Sequence, residues 1–402
     1  MKSPSVHLAI PKVSAIIPAY NSSPFIQDTI ESLLAQSISL SEIIVVDDLS
    51  SDDTYEVVLK IAQSSHGIVK IRRLTENCGP SQSRNIGLGM AREELVLLMD
   101  HDDIADNMLV EEEYDKFMEL EDDSPGSYVL VHSAYSQIDR DGFGISGVHR
   151  WRQVGKDEVL GYMLVRNRIL SCSGVLMKKE LALRVGGFDC GLRYSQDWDL
   201  WLRLAETGGF GYVDSPLVKI RRHSNNLSRI ISDAEKDELT ILSRYAIPFI
   251  EKAIYRRKST RLMNSIDFVS VLYRLGRWDE GFRIIKDVIN KRPDLSSPFF
   301  WAGLYYVKNG DLYAAKEAFE QAIEIDPENG AALNNYGVIV ALCGEHGKAA
   351  GLLKNAIAML PNYLDAKHNL SCLERKPGHD ASCFKFTLRE LRPVLLTYAD
   401  TE

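Results

Sequence analysis

Leu95-Val96-Leu97-Leu98-Met99-Asp100-His101-Asp102-Asp103 is an apolar run that passes at once into an acidic cluster. A short continuous apolar run bounded by polar residues reads as a strand buried on both faces. Three similar runs precede it, at residues 13–18, 43–46 and 69–74, and the second ends in Asp47-Asp48. Helical patterns lie between them. Ile26, Ile30, Leu33, Leu34 and Ile38 share one face, with Ser23 and Pro24 placed to cap and open that helix. Val57, Val58 and Ile61 follow Ser51 or Asp52 as a cap, and residues 81–91 are helical by spacing. Strands alternating with helices predict an α/β fold with a doubly wound, mostly parallel sheet. Such sheets bind ligands outside the carboxyl ends of their strands. Here those ends carry Pro18-Ala19-Tyr20-Asn21, Asp47-Asp48 and Asp100-His101-Asp102-Asp103, so polar groups converge where a ligand should sit.

Beyond about residue 124 the pattern is less periodic, with glycine-rich turns, a strand-like run at 128–132 and a helical stretch at 197–206. The last third repeats itself. Gly276, Gly310 and Gly344 are spaced by 34 residues, as are Pro293, Pro327 and Pro361. Ala315, Phe319 and Ala322 recur as Ala349, Leu353 and Ala356, and more loosely as Gly281, Ile285 and Val288. That is the period of tetratricopeptide helix pairs, in which small residues let two helices pack closely and proline ends the second. The expected organisation is a disordered start at 1–12, a catalytic domain at 13–228, a helical linker at 229–262, repeats at 263–375 and a tail at 376–402.

Composition narrows the function classes. The chain has 402 residues, 45% hydrophobic and 26% charged, with a net charge of −9. An acidic balance argues against a nucleic-acid binder, which needs a basic face. None of the six cysteines forms a CxxC pair, so reduced thiols in a cytoplasmic protein are the expectation. No run reaches the roughly 18 apolar residues of a membrane span, so any work at a membrane would be peripheral.

Asp100 and Asp102 stand one residue apart at the end of a buried strand. Hard divalent cations are held by one or two carboxylates together with substrate phosphates. A bound cation neutralises a departing diphosphate. The competing reading of this cluster is a solvated acidic turn capping a helix near Ala105.

Here the sequence resembles a known family. The motifs are Pro18-Ala19-Tyr20-Asn21; Val45-Val46-Asp47-Asp48 with Ser50, Asp52 and Thr54; Asn77-Cys78-Gly79-Pro80-Ser81 leading to Arg84-Asn85; and Met99-Asp100-His101-Asp102-Asp103. Gln196-Asp197 before Trp198-Asp199-Leu200-Trp201, and Arg221-Arg222-His223 with Asn226 and Ser228, complete the series. Taken in order, they are similar to the motifs of glycosyltransferase family 2, inverting enzymes of GT-A fold, over about residues 12–228. Gln196 stands where that family often has a glutamate. The Gln-x-x-Arg-Trp motif of processive synthases is absent, which favours single additions.

The resemblance implies a role for each position. Pro18, Ala19, Tyr20 and Asn21 would hold the nucleotide base together with Asp47 or Asp48. Asn77, Gly79 and Arg84 would line the donor pocket, unless Arg84 pairs with a sheet-end aspartate, and His101 would reach toward the donor sugar or point outward. Asp100 would meet the ribose, and Asp102 would bind Mn2+ or Mg2+ with His223 completing the shell. Arg221 and Arg222 would clamp the diphosphate. Asp197 would be the general base that takes the acceptor's proton; as a plain structural residue it would instead cap its helix. The implied donor is a UDP-sugar, and the acceptor is a saccharide, a lipid-linked saccharide or a protein, as in polysaccharide biosynthesis. The repeats would bind a protein partner or mediate self-association. Two rival readings are an interaction scaffold with a non-catalytic sugar-nucleotide domain and a sugar-phosphate nucleotidyltransferase. The second expects a glycine-rich loop after the first strand, where this chain has Pro18-Ala19-Tyr20-Asn21.

Overall fold

The computed structural model describes residues 12–145, 147–169, 171–223, 231–361, 363–374 and 383–389. The N-terminal residues 1–11, Asn226, Ser228 and most of the tail therefore lie outside the described residues. The chain divides into two compact units, Met1–Ala246 and Ile247–Glu402.

The first unit is built on one sheet. In chain order its strands are β1 (Val13–Ala19), β2 (Glu42–Asp47), β3 (Val69–Arg73), β4 (Leu95–Leu98), β5 (Ile104–Ala105), β6 (Tyr128–Ile138), β7 (Val175–Lys178) and β8 (Gly209–Arg221). They lie side by side as β3-β2-β1-β4-β7-β6-β8-β5. The β3-β2-β1-β4 half is parallel, as the alternation predicted. β1 and β2 are buried at every position, which is why they read as unbroken apolar runs. Helices α1 (Ile26–Leu34), α2 (Thr54–Ser64) and α3 (Gly79–Met90) make the crossovers. α3 lies so close to β1 that a Cβ on Gly87 would come within 2.3 Å of Ile16 Cγ2.

The other half is mixed. β7 is antiparallel to both β4 and β6, and β5 is antiparallel to β8, while β6 and β8 are parallel. The cause is where β7 starts. Gly174 N–H donates to the Leu98 carbonyl at the ligand end of β4, at 2.9 Å, so the strand that follows must run back along β4. Gly174 has φ +72°, and a Cβ there would sit 2.3 Å from Val218 Cγ2, so no other residue fits. The remaining helices of this unit are α4 (Leu109–Asp123), α5 (Val159–Val165), α6 (Lys179–Arg184), α7 (Gln196–Ala205) and α8 (Ile231–Leu242).

Two local expectations change. Ser23 does not cap α1, which begins at Ile26; the Ser23 N–H donates to Asp52 Oδ2 at 3.1 Å. The neighbouring Ser22 N–H donates to Thr54 Oγ1 at 2.8 Å, so Asp52 and Thr54 tie the loop after β1 to the loop after β2. The residues after the Asp100 cluster form strand β5 rather than a helix, because β8 offers Ile104 and Ala105 a partner.

The second unit is helical: α9 (Ile247–Tyr255), α10 (Arg261–Arg274), α11 (Trp278–Lys291), α12 (Ser296–Lys308), α13 (Leu312–Ile325), α14 (Gly330–Leu342), α15 (His346–Met359) and α16 (Leu364–Glu374). Gly276, Gly310 and Gly344, at φ +73°, +76° and +85°, each end the first helix of a pair. The residue after each glycine closes the same backward hydrogen bond, to Leu272, Tyr306 and Val340 respectively. Ala315, Phe319 and Ala322, and their counterparts Ala349, Leu353 and Ala356, are all fully buried. Tyr313 is 74% exposed, whereas Trp301 and Tyr336 belong to the core. Among the described residues no helix is long and apolar enough to cross a membrane.

Candidate active site

Two groups of side chains gather at the carboxyl ends of the parallel strands. The first surrounds Asp48. Its carboxylate accepts the N–H of Cys78 and of Gly79, each at 2.7 Å, and its carbonyl accepts Asn77 Nδ2 at 3.1 Å. The backbone turns at Gly79 with φ +83°, and Pro80 opens α3. Asp48 therefore satisfies N–H groups at the start of that helix, where a negative charge is also favoured. Asp47 is fully buried, with Oδ1 accepting Ser50 N–H at 3.2 Å and Oδ2 3.3 Å from Arg73 Nε. Pro18 and Ala19 are buried in β1. The exposed apolar surface at this edge comes from Tyr20, at 46%, and Leu49, at 40%. Asn21 and Leu49 both adopt left-handed backbone, at φ +48° and +58°. Asn21 makes its turn good by accepting Ser51 N–H at 2.8 Å and donating its own N–H to Ser50 Oγ at 3.0 Å. Among the described residues Leu49 has no such compensation, and it is the costlier of the two.

The second group surrounds the aspartates after β4, and each has a different neighbour. Asp100 Oδ1 receives Arg84 Nη2 at 2.6 Å, and Oδ2 receives Ser171 Oγ at 3.3 Å. Arg84 also donates to Gln196 Oε1 at 3.2 Å, and its guanidinium lies over the Phe188 ring. Asp102 Oδ2 is 2.9 Å from His223 Nε2. Burial opposes ionisation of Asp102, but the positive field of His101 and the bond to His223 hold its carboxyl below the usual range. Asp103 is buried, accepts Arg221 N–H at 2.8 Å and Ser173 Oγ at 2.5 Å, and is pushed well up by burial and by the charges of Asp102 and Asp100. His101 links the two groups, its Nδ1 3.2 Å from the Pro18 carbonyl.

Asp197 opens α7 beside Gln196. Its Oδ1 accepts the Trp198 N–H at 2.7 Å and its Oδ2 accepts Asn167 Nδ2 at 3.1 Å. Burial raises its carboxyl to about 6, against the pull of the Trp198 N–H and the Arg84 charge. The helix start is held from behind by Asp237 of α8, which accepts the N–H groups of Arg193, Tyr194 and Ser195 at 2.7–3.3 Å. His223 stacks on Phe25 with ring centres 4.8 Å apart. Arg221 is buried and donates to the carbonyls of Asp102 and Arg140. It is a strut beneath the site, whereas its neighbour Arg222 is partly exposed.

Residues 14–171 match the model described as glycosyl transferase family 2, and residues 297–329 match a tetratricopeptide repeat. The first unit carries a family 2 glycosyltransferase domain. The fold is thus a GT-A-like α/β unit followed by a tetratricopeptide region. The chain is 27% identical over 216 residues to an uncharacterized glycosyltransferase of Rickettsia prowazekii, covering 53% of this chain and 65% of that one. It is 29% identical over 220 residues to a putative teichuronic acid biosynthesis glycosyltransferase of Bacillus subtilis, covering 54% and 82%. With chondroitin synthase of Escherichia coli it shares 27% over 229 residues, 57% of this chain and 31% of that one. It therefore spans less than two thirds of two of these three relatives. Among solved structures, S. aureus TarS 1–349 in complex with UDP-GlcNAc is similar over 88% of this chain and 92% of that chain, at 16% identity and a TM-score of 0.49.

The motif residues of this family 2 domain are accompanied by others that their spacing did not reveal. Asn167, Ser171, Ser173, Phe188 and Phe25 all touch motif side chains. Ser171 and Ser173 flank Cys172 in the aperiodic stretch, and only the antiparallel entry of β7 carries them to Asp100 and Asp103. Asp48→Ala should destabilise the domain by roughly 2–4 kcal/mol, since two N–H groups lose a charged acceptor. Urea unfolding measures this, and an unchanged midpoint would mean that Asp48 is not supporting α3.

Proposed function

We propose that this chain transfers a single sugar, with inversion, from a UDP-sugar to a hydroxyl of a saccharide, lipid-linked saccharide or protein acceptor. The observation that carries this reading is the hydrogen-bonded chain from Gln196, which directly precedes Asp197, through Arg84 to Asp100, two residues before Asp102 and its partner His223. A carboxyl raised to about 6, beside groups suited to a diphosphate, supports a general-base role for Asp197. The family 2 domain supports sugar transfer in general terms.

Asp197 takes the proton of the acceptor hydroxyl as it attacks the anomeric carbon opposite the departing nucleotide. A base with a pKa of about 6 is ionised at neutral pH yet still basic enough to draw off that proton. Asn167 and the Trp198 N–H keep the carboxylate in one orientation. Tyr20 and Leu49 offer a surface for the base to pack on, with Asp47 and Asp48 behind it. Asn77, Gly79 and Arg84 line the donor pocket, Asp100 lies toward the ribose, His101 toward the donor sugar, and Arg222 toward the diphosphate.

Asp102 and His223 would hold a divalent cation, because a carboxylate oxygen and an imidazole nitrogen are already side by side. This mixed donor set suits Mn2+ better than Mg2+. When bound, the cation neutralises charge on the diphosphate leaving group. The cytoplasm, where nucleotide sugars are made, is the proposed site of action.

A thermal-shift screen against UDP-, GDP- and dTDP-sugars, with and without Mn2+, tests the reading. A ligand at a hundredfold excess over Kd stabilises the folded state by about 2.7 kcal/mol. A shift with UDP-sugars that needs Mn2+ is expected. No shift with any nucleotide sugar, in a protein that melts cooperatively, would favour the scaffold reading.

A further inference from the structure

The second unit contains a contact for which sugar transfer has no use. Residues 383–389 lie against the repeats, and the repeats grip their main chain. Asn335 of α14 accepts the Thr387 N–H at 2.7 Å and donates Nδ2 to the Thr387 carbonyl at 2.9 Å. Asn369 of α16 does the same for Lys385, at 2.8 Å in both directions. Asn335 and Asn369 are 34 residues apart, one repeat. Lys385 and Thr387 are two residues apart, one full step of an extended chain. One repeat of the scaffold is therefore matched to one step of peptide.

Asn334 braces the pair. It donates to the Lys385 carbonyl at 3.3 Å and to Thr387 Oγ1 at 3.2 Å, and it accepts Asn369 Nδ2 at 2.9 Å. All three asparagines are fully buried. Thr387 is buried as well, donating its hydroxyl to Asp365 at 2.8 Å and meeting the Tyr363 hydroxyl. Phe384 and Phe386 pack on the apolar core of the repeats. Buried amides are costly unless their hydrogen bonds are made. Here they are made by the backbone of a segment from outside the repeats. Such bonds are indifferent to sequence, so selectivity falls to the two aromatic side chains and the threonine hydroxyl. The next position in this register, 34 residues before Asn335, is Trp301, a buried indole whose Nε1 has no hydrogen-bond partner among the described residues.

We propose that this face of the repeats is a receptor for an extended polypeptide of the pattern aromatic-x-aromatic-Thr, and that the chain's own residues 383–389 fill it as a plug that such a polypeptide displaces. The proposal stands independently of sugar transfer. The plug is joined to α16 through only eight residues, 375–382, so its effective concentration at the groove is on the order of millimolar. A polypeptide in trans therefore meets an occupied site and binds weakly until the plug is out.

The test uses the full chain with Lys385→Pro and Thr387→Pro, which removes the two N–H donors of the plug and leaves the groove asparagines untouched. The probe is a labelled synthetic peptide with the sequence of residues 383–389, followed by fluorescence anisotropy. The proline variant should bind it about tenfold or more tightly than the unaltered chain. The same peptide N-methylated at the amides matching Lys385 and Thr387 should bind that variant about tenfold or more weakly, as the loss of two hydrogen bonds implies. Equal binding of the two peptides, or no gain from the proline substitutions, overturns the proposal. Amide hydrogen exchange on the unaltered chain guards against misfolding of the variant. Residues 383–389 should be protected, and millimolar unlabelled peptide, matching the plug's effective concentration, should lower the protection. Unprotected exchange of that segment in the unaltered chain also overturns the proposal.

Discussion

Asp197→Asn is expected to lower kcat by ~10²–10⁴, the usual contribution of a positioned general base, while donor binding stays near that of the unaltered chain and the melting temperature does not fall. The substitution is nearly isosteric. The introduced amide would keep an oxygen to accept one of the two hydrogen bonds that Asp197 receives from Trp198 N–H and Asn167 Nδ2. What is lost is the proton acceptor. The pH profile separates this from a structural effect. Burial raises the Asp197 carboxyl to about 6, so in the unaltered chain kcat/KM should fall tenfold per pH unit below about 6 and level off above it. The variant should lack that limb. Its stability should also respond in a defined direction. A carboxyl whose pKa is higher folded than unfolded binds its proton more tightly in the native state, so it costs stability as pH rises through about 6. The neutral amide removes that cost. Turnover near that of the unaltered chain, with the acid limb intact, would show that another group takes the proton.

Asp102→Ala is expected to abolish the Mn2+-dependent part of donor binding. The stabilisation of about 2.7 kcal/mol at a hundredfold ligand excess should fall to the small shift seen without metal. His223→Ala should weaken the same effect less, because the carboxylate remains. The fold should tolerate both. His223 is supported by its stacking on Phe25, and Arg221 holds the Asp102 backbone through the carbonyl. Asp102 does contribute to stability. Its carboxyl is held below the usual range, so its contribution is present above the unfolded pKa and is lost as pH falls through the folded one. The alanine variant should therefore be somewhat less stable at neutral pH and converge with the unaltered chain in acid. Isothermal titration with a UDP-sugar, with and without Mn2+, reads the binding directly. Undiminished metal dependence in a variant carrying both Asp102→Ala and His223→Ala would place the cation elsewhere.

Much of this architecture could be read from the chain itself. β1, β2 and β4 are buried on both faces, so their apolar runs admit no other assignment, and each ends where a polar cluster begins. The repeats were legible for a related reason. A glycine is needed at each left-handed helix end and small residues at each close helix contact, so the 34-residue period is imposed position by position. The candidate site was readable wherever a residue sits at a strand end, as Asp48, Asp100 and Asp102 do, or opens a helix, as Asp197 does.

What the tertiary structure decided is which partner each of these residues meets. Local pattern cannot tell Asp47 from Asp48, yet one accepts from Ser50 within its own turn and the other supports α3 from 30 residues away. Nor does it tell Arg221 from Arg222, of which the first is a buried strut. The antiparallel entry of β7 brings Ser171 and Ser173 to the aspartates across about 70 residues. The docking of residues 383–389 on Asn335 and Asn369 is likewise a long-range event, invisible to periodicity. Periodicity records which face of an element is buried, because burial acts on every turn of a helix or every second residue of a strand. A hydrogen bond between two distant side chains leaves no such repeated trace, so the fold and the strand-end residues came from the sequence, and the contacts that arrange them as a site came only from the packed chain.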